Sequence, residues 1–183
     1  MNKVIFLDRD GVINKDSFGV TPNNYVESLE FFQFADNAKE GIKALTEKGF
    51  DVIVISNQAG VSKGFYSEET LKDITDKMIN EIEIAGGRIK KVFYCLHQTS
   101  DNCDCRKPKT GLFKQAQDFL GHDIKGYFFV GDTERDVIAG HSYGLKTIAV
   151  LTGKATIKDI DNWKEQPDLI CKDLVEVAEI VSR

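Results

Sequence analysis

The stretch Lys3-Val-Ile-Phe-Leu-Asp8-Arg-Asp10-Gly11-Val-Ile-Asn14 decides the fold. Val4 to Leu7 is a short unbroken apolar run with β-branched members, the pattern of a strand buried on both faces of a parallel sheet. Two aspartates two residues apart, then a glycine, stand where that strand should end. Ligands of an open parallel sheet bind in the crevice beyond the carboxyl ends of its strands, so both carboxylates are expected in such a crevice. One carboxylate can attack phosphorus and form an aspartyl-phosphate while the other moves protons. Acids facing a phosphate need a cation, and hard oxygen donors suit Mg²⁺. Asp and Gly also make ordinary turns, so the weight of the pair rests on what ends the later strands.

A chain of 183 residues is long enough for one well-buried domain and short for two, and a single domain over residues 1–183 is expected. Hydrophobic residues make up 42% and charged residues 29%, and no apolar run approaches the roughly 20 residues of a bilayer span. The net charge of −5, with no long run of Lys and Arg, disfavours nucleic acid as a partner. No basic segment followed by an apolar one opens the sequence, so the cytoplasm is the expected compartment. Nothing demands more than a monomer.

Short β-branched runs alternate with longer amphipathic ones, as in a doubly wound parallel sheet with helices on both faces. After the first strand, residues 15–34 read as an irregular loop, with Pro22, Asn23 and Asn24 as turn signals and Phe31, Phe32 and Phe34 as core contacts. Asp36 reads as the N-cap of a helix closed by Gly49, and residues 51–56 as the second strand. Ser67 opens a helix that Gly86 and Gly87 end. Strands are expected over 91–95, 126–130, 146–151 and 168–171, with helices over 111–120, 134–143 and 173–181.

The second strand ends in Ser56-Asn57-Gln58-Ala59-Gly60, where a hydroxyl, side-chain donors and backbone N–H groups can hold phosphate oxygens. Ser56 can equally cap the following segment. Lys107, past the third strand, can neutralise the oxygens of a phosphoryl transition state. The fourth strand ends in Gly131-Asp132-Thr133-Glu134-Arg135-Asp136, with the carboxylates of Asp132 and Asp136 four residues apart at a strand-to-helix junction. They can complete a Mg²⁺ site with Asp8, or simply favour the positive end of a helix.

The order Asp-x-Asp, Ser, Lys, Asp pair, one set per strand end, resembles the haloacid dehalogenase-type phosphohydrolases from Val4 to about Gly153. That resemblance implies a Rossmann-like α/β fold without a large cap domain. It implies Asp8 as nucleophile, Asp10 as general acid/base, and Ser56 and Lys107 as phosphoryl-binding groups. The Mg²⁺ set would be Asp8, Asp10 through its backbone carbonyl, and Asp132, with Asp136 in support.

Cys95-Leu96-His97, followed after five residues by Cys103-Asp104-Cys105, supplies three thiols and one imidazole. This is a full tetrahedral Zn²⁺ set, closed by protein ligands and so structural. The rival is three unlinked cysteines behaving as small apolar residues. A disulfide fits poorly, because the chain looks cytosolic and a Cys-x-Cys pair is too close for easy bridging. Bound zinc would fold the loop 95–105 that carries Arg106 and Lys107. Cys171 reads as core, and His122 and His141 as solvated or helix-terminal.

A zinc loop of this kind narrows the resemblance to the branch holding the D-glycero-D-manno-heptose-1,7-bisphosphate 7-phosphatases and the histidinol-phosphate phosphatases. The opening Asp8-Arg-Asp-Gly-Val-Ile-Asn14, the segment from Ser56 to Glu68 and the ending Gly144 to Gly153 resemble the heptose enzymes, while the short His97-to-Cys103 gap is like the histidinol enzymes. The implied partner is a small phosphorylated sugar, met by Asp16, Ser17, Phe18, Gly19, Asn57, Gln58, Arg106 and Thr133. Many of the heptose enzymes that the chain resembles carry lysine after the last-motif aspartate, where this chain has Thr133. Two readings from other classes compete: a zinc-stabilised interaction module without catalysis, and a phosphoacceptor domain, which places its aspartate after the third strand rather than the first.

Overall fold

The computed structural model describes residues 3–181. Six strands, β1 (Lys3–Leu7), β2 (Phe50–Asn57), β3 (Ile89–Cys95), β4 (Phe128–Gly131), β5 (Lys146–Val150) and β6 (Leu169–Cys171), form one parallel sheet in the order β3-β2-β1-β4-β5-β6. The helices are α1 (Ala38–Glu47), α2 (Glu68–Ile84), α3 (Gly111–Leu120), α4 (Glu134–Tyr143), α5 (Ile157–Asp161) and α6 (Leu174–Ile180). The strand order reverses direction between β1 and β4, and that switch point is where a doubly wound sheet opens a ligand crevice.

Alternation along each strand assigns its side chains to two cores. Ile5 and Leu7 of β1, Val52 and Val54 of β2 and Val130 of β4 pack beneath α1, α2 and α6. Val4, Phe6, Ile53, Ile55 and Phe129 point the other way, beneath α3 and α4. A strand buried on both faces reads as an unbroken apolar run, which is why Val4 to Leu7 was legible. Phe113 of α3 is fully buried, its ring 5.9 Å from Phe6, 5.0 Å from Phe129 and 5.7 Å from Tyr143.

Two expectations are corrected. The N-cap of α1 is Asn37, at a left-handed φ of 60°, while Asp36 instead faces Lys15 at 3.4 Å. Phe32 is buried, but Phe31 points outward at 38% exposure, so the aromatic cluster contributes only Phe32 and Phe34 to the core. A further short helix, α5, occupies a stretch with no sequence expectation, opened by Thr156, whose hydroxyl accepts the Asp159 N–H at 3.3 Å. Residues 8–37 run irregularly over the carboxyl edge of the sheet, as do 58–67 and 96–110 apart from one short 3₁₀ turn at Thr99–Asp101. No helix among the described residues is long and apolar enough to cross a membrane.

Candidate active site

Asp8 follows β1 directly, and its N–H continues the sheet by donating to Val130 O at 2.8 Å. Its Oδ1 accepts the Arg9 N–H at 2.7 Å, and its Oδ2 lies 2.8 Å from Lys107 Nζ. The Lys107 ammonium is buried and fully engaged, reaching Asp8, Asp136 Oδ1 at 2.7 Å and Ile55 O at 3.0 Å. Burial opposes its charge, but Asp136 and Asp8 outweigh that and hold the lysine protonated. Burial pushes Asp8 up to about 6 against the pull of Lys107.

Asp132 follows β4 and is packed closely between two glycines. A Cβ on Gly11 would lie 2.2 Å from Asp132 Oδ2 and one on Gly153 2.1 Å, so only glycine fits at either place. Burial, then the neighbouring Asp136 and Asp8, raise the Asp132 carboxyl well above its ordinary range. Burial also works against Asp136, but Lys107 and Thr133 prevail and hold it low. Oxygens of Asp8, Asp132 and Asp136 all lie within 4.8 Å of one another. Three buried carboxylates sharing a single buried ammonium form a hard, oxygen-only donor set with excess negative charge, which fits a divalent cation such as Mg²⁺.

Asp10 is enclosed by donors. Arg9, only 1% exposed, brings Nη2 to 2.9 Å and Nε to 3.3 Å of Asp10 Oδ1, Asn14 Nδ2 donates to the same oxygen at 2.9 Å, and Gln58 Nε2 donates to Oδ2 at 2.7 Å. Burial disfavours the charge here too, yet Arg9 and these hydrogen bonds hold Asp10 below the usual carboxylate range.

These acids line a cavity of about 420 Å³ together with Ser56, Asn57, Lys107, Arg106, Thr133, Asp16, Ser17 and Phe18. Asn57 is a frame for the loop after β3: its Oδ1 accepts the Lys107 N–H at 3.0 Å and its Nδ2 donates to Lys107 O at 3.1 Å. The Thr133 hydroxyl is turned to Asp136 Oδ2 at 2.6 Å. Two expected contacts lie elsewhere. Gln58 is buried behind Asp10, and Gly19 stands off the cavity, its N–H donating to Asn24 Oδ1 at 2.7 Å. The cavity walls add Asn23, Asn24, Tyr25, Lys63, Arg135 and Lys154, none of which carried a functional signal in sequence. Lys154 ties the wall together, its Nζ 3.4 Å from Asp16 Oδ2 and 4.8 Å from the Phe18 ring centre.

The zinc-type cluster forms beside this cavity. Cys95 Sγ lies 3.0 Å from Cys105 Sγ and 3.7 Å from Cys103 Sγ, and His97 Nδ1 lies 3.3 Å from Cys105 Sγ and 3.8 Å from Cys95 Sγ. Sulfurs about 2.3 Å from a tetrahedral zinc stand about 3.7 Å apart. Cys103 is at about that spacing from Cys95 and, at 3.5 Å, from Cys105, while the Cys95–Cys105 pair is tighter. The closed set of three thiols and one imidazole is the donor chemistry of Zn²⁺. Arg106 Nη1 donates to His97 O at 3.2 Å, which links the cluster directly to a cavity residue.

Acids after β1 and β4 around a buried lysine, at the switch point of this sheet, define the class of haloacid dehalogenase-like phosphohydrolases. A family model described as HAD-hydrolase-like matches residues 104–177. The D-glycero-alpha-D-manno-heptose-1,7-bisphosphate 7-phosphatase of Photorhabdus laumondii is 36% identical over 168 residues, covering 87% of this chain and 88% of that one. The D-glycero-beta-D-manno-heptose-1,7-bisphosphate 7-phosphatase of Vibrio cholerae is 37% identical, covering 82% of each chain. The fold matches the crystal structure of D,D-heptose 1.7-bisphosphate phosphatase from B. bronchiseptica, complexed with magnesium and phosphate, at a TM-score of 0.86 and 31% identity, covering 98% of this chain and 97% of that one. The chain belongs to this superfamily of phosphatases, in the family of the heptose-1,7-bisphosphate 7-phosphatases.

Proposed function

We propose that the chain is a Mg²⁺-dependent phosphomonoesterase that removes the 7-phosphate of D-glycero-D-manno-heptose 1,7-bisphosphate through an aspartyl-phosphate on Asp8. The observation that carries the chemistry is Asp8 at the cavity floor, paired with Lys107 and within 4.8 Å of Asp132 and Asp136. The named relatives carry the substrate. Asp10, an anion in the resting site, takes up a proton before the step. An Asp8 carboxylate oxygen then attacks phosphorus, the bond to the sugar oxygen breaks, and Asp10 gives that oxygen its proton. Water then attacks the acyl phosphate, Asp10 takes the water proton, and inorganic phosphate leaves with Asp8 restored. Lys107 and Ser56 hold the equatorial oxygens, and Arg106 with the Asp16-to-Phe18 loop meets the rest of the sugar. Mg²⁺, held by Asp8, Asp10 and Asp132 with Asp136 in support, would supply the charge that lets two anions meet.

Cys95, His97, Cys103 and Cys105 hold structural Zn²⁺ in this reading. Residues 1–183 act as one domain, since β1 and α6, from opposite ends of the chain, share one core. Phosphorus NMR of the reaction tests the function. Both anomers of the bisphosphate are offered, because the relatives' names carry both, beside histidinol phosphate and with Asp8→Asn as control. Selective loss of the 7-phosphate resonance, absent in Asp8→Asn, is expected. Faster turnover of histidinol phosphate would overturn the substrate.

A further inference from the structure

Gln58 is 1% exposed and engaged at every polar atom of its side chain. Its Nε2 donates to Asp10 Oδ2 at 2.7 Å and to Ser56 Oγ at 3.2 Å, while Oε1 accepts the Tyr66 hydroxyl at 2.7 Å. Its backbone N–H donates to Cys95 O at 2.7 Å. Tyr66 reaches this position because residue 60 is glycine, where a Cβ would lie 2.2 Å from Tyr66 Cε1.

The polarity of these bonds has one consistent solution. A carboxylate only accepts, so the amide must turn Nε2 toward Asp10, and the Tyr66 hydroxyl satisfies the oxygen at the other end. Nε2 only donates, so Ser56 Oγ must be an acceptor toward it. The Ser56 proton is then left to point elsewhere, and Ser56 lines the cavity where phosphoryl oxygens would arrive. One amide therefore sets the direction of the hydroxyl and the position of the acid.

We infer that Gln58, locked by Tyr66, is a positioning residue that aligns Asp10 for proton transfer to the leaving oxygen and Ser56 for phosphoryl binding. The inference rests on Asp10 being the acid/base of the proposed reaction, and it assigns Gln58 to support of that group in place of substrate contact.

Leaving groups separate this role from general scaffolding. An alkoxide needs a proton as it departs, whereas dinitrophenolate does not. Gln58→Met and Tyr66→Phe are compared with the unmodified chain in single turnovers, enzyme in excess with Mg²⁺, on heptose bisphosphate and on dinitrophenyl phosphate. Gln58→Met is expected to slow the sugar phosphate on the order of 10²-fold, within the range of a lost acid, and the dinitrophenyl ester by under about 10-fold. Tyr66→Phe keeps the ring against Gly60 and removes only the hydroxyl, so it decides the matter should Gln58→Met fail to fold. It is expected to shift the ratio of the two rates in the same direction by about 5-fold or more. Equal slowing of both esters by a folded variant overturns the inference and leaves the phosphatase reading standing. An unmodified chain that cleaves neither ester overturns both.

Discussion

The Lys107 ammonium stands 2.7 Å from Asp136 Oδ1, and both side chains are at most 3% exposed. The same nitrogen reaches Asp8, so a single buried cation joins the carboxylate after β1 to the one inside α4. Replacing Lys107 by Met leaves buried carboxylates uncompensated, and breaking such a pair costs about 3–5 kcal/mol. Lys107→Met is expected to lower unfolding free energy in denaturant titrations by that amount and kcat by roughly 10²–10³-fold. Unchanged stability would mean that the carboxylates are compensated by another group.

The acid cluster yields a second expectation. A cation that binds only the folded chain raises the melting temperature by mass action. Mg²⁺ is expected to raise the melting temperature of the unmodified chain and to have little effect on Asp132→Ala. An equal Mg²⁺ response in both proteins would place the cation elsewhere. Gly153→Ala, whose new Cβ would meet Asp132, is expected to blunt the same response.

The zinc-type cluster predicts one Zn²⁺ per chain by elemental analysis, lost in Cys105→Ser. Removing a structural metal removes folding free energy as well. Because Arg106 donates to the His97 carbonyl and Lys107 follows it, Cys105→Ser is expected to melt lower and to lose phosphatase activity although Asp8 is untouched. Full activity without zinc would uncouple the cluster from the cavity.

Parts of this site were legible for a physical reason. Asp8, Asp10, Ser56 and Asp132 each stand at the end of an apolar run, where the change from apolar to polar marks a strand's carboxyl end. Arg9 was not legible: in sequence it is one charge in a polar turn, and only the fold shows it buried on Asp10 with the Tyr94 ring centre 5.8 Å away on β3. Gln58 looked like a phosphate donor because its neighbours are, yet its side chain turns behind Asp10 toward Tyr66. Asp36 and Asn37 are both good N-cap residues, and nothing local separates them. Lys154 reaches the cavity from the loop after β5 and Arg135 from the first turn of α4, and both placements depend on the sheet order.

His141 shows the same limit and carries the last prediction. No partner is visible near it in sequence, but in the fold its Nδ1 lies 2.6 Å from Glu165 and its Nε2 3.0 Å from Asp168, joining the end of α4 to the chain entering β6. Burial works against its charge, and the hydrogen bonds it donates to Glu165 and Asp168 outweigh that, so its pKa is raised above the ordinary 6.5. A raised pKa means that the folded state binds the proton more tightly than the unfolded one. The stabilisation is therefore complete below pH 6.5, where both states are protonated, and is lost as pH climbs through the folded value. The difference in melting temperature between the unmodified chain and His141→Gln should be largest near about pH 6 and shrink toward about pH 9. Both acids are half-exposed, so added salt should reduce the low-pH difference. A difference constant across that range would show that the imidazole keeps an ordinary pKa in the folded chain and that its hydrogen bonds act in the neutral form.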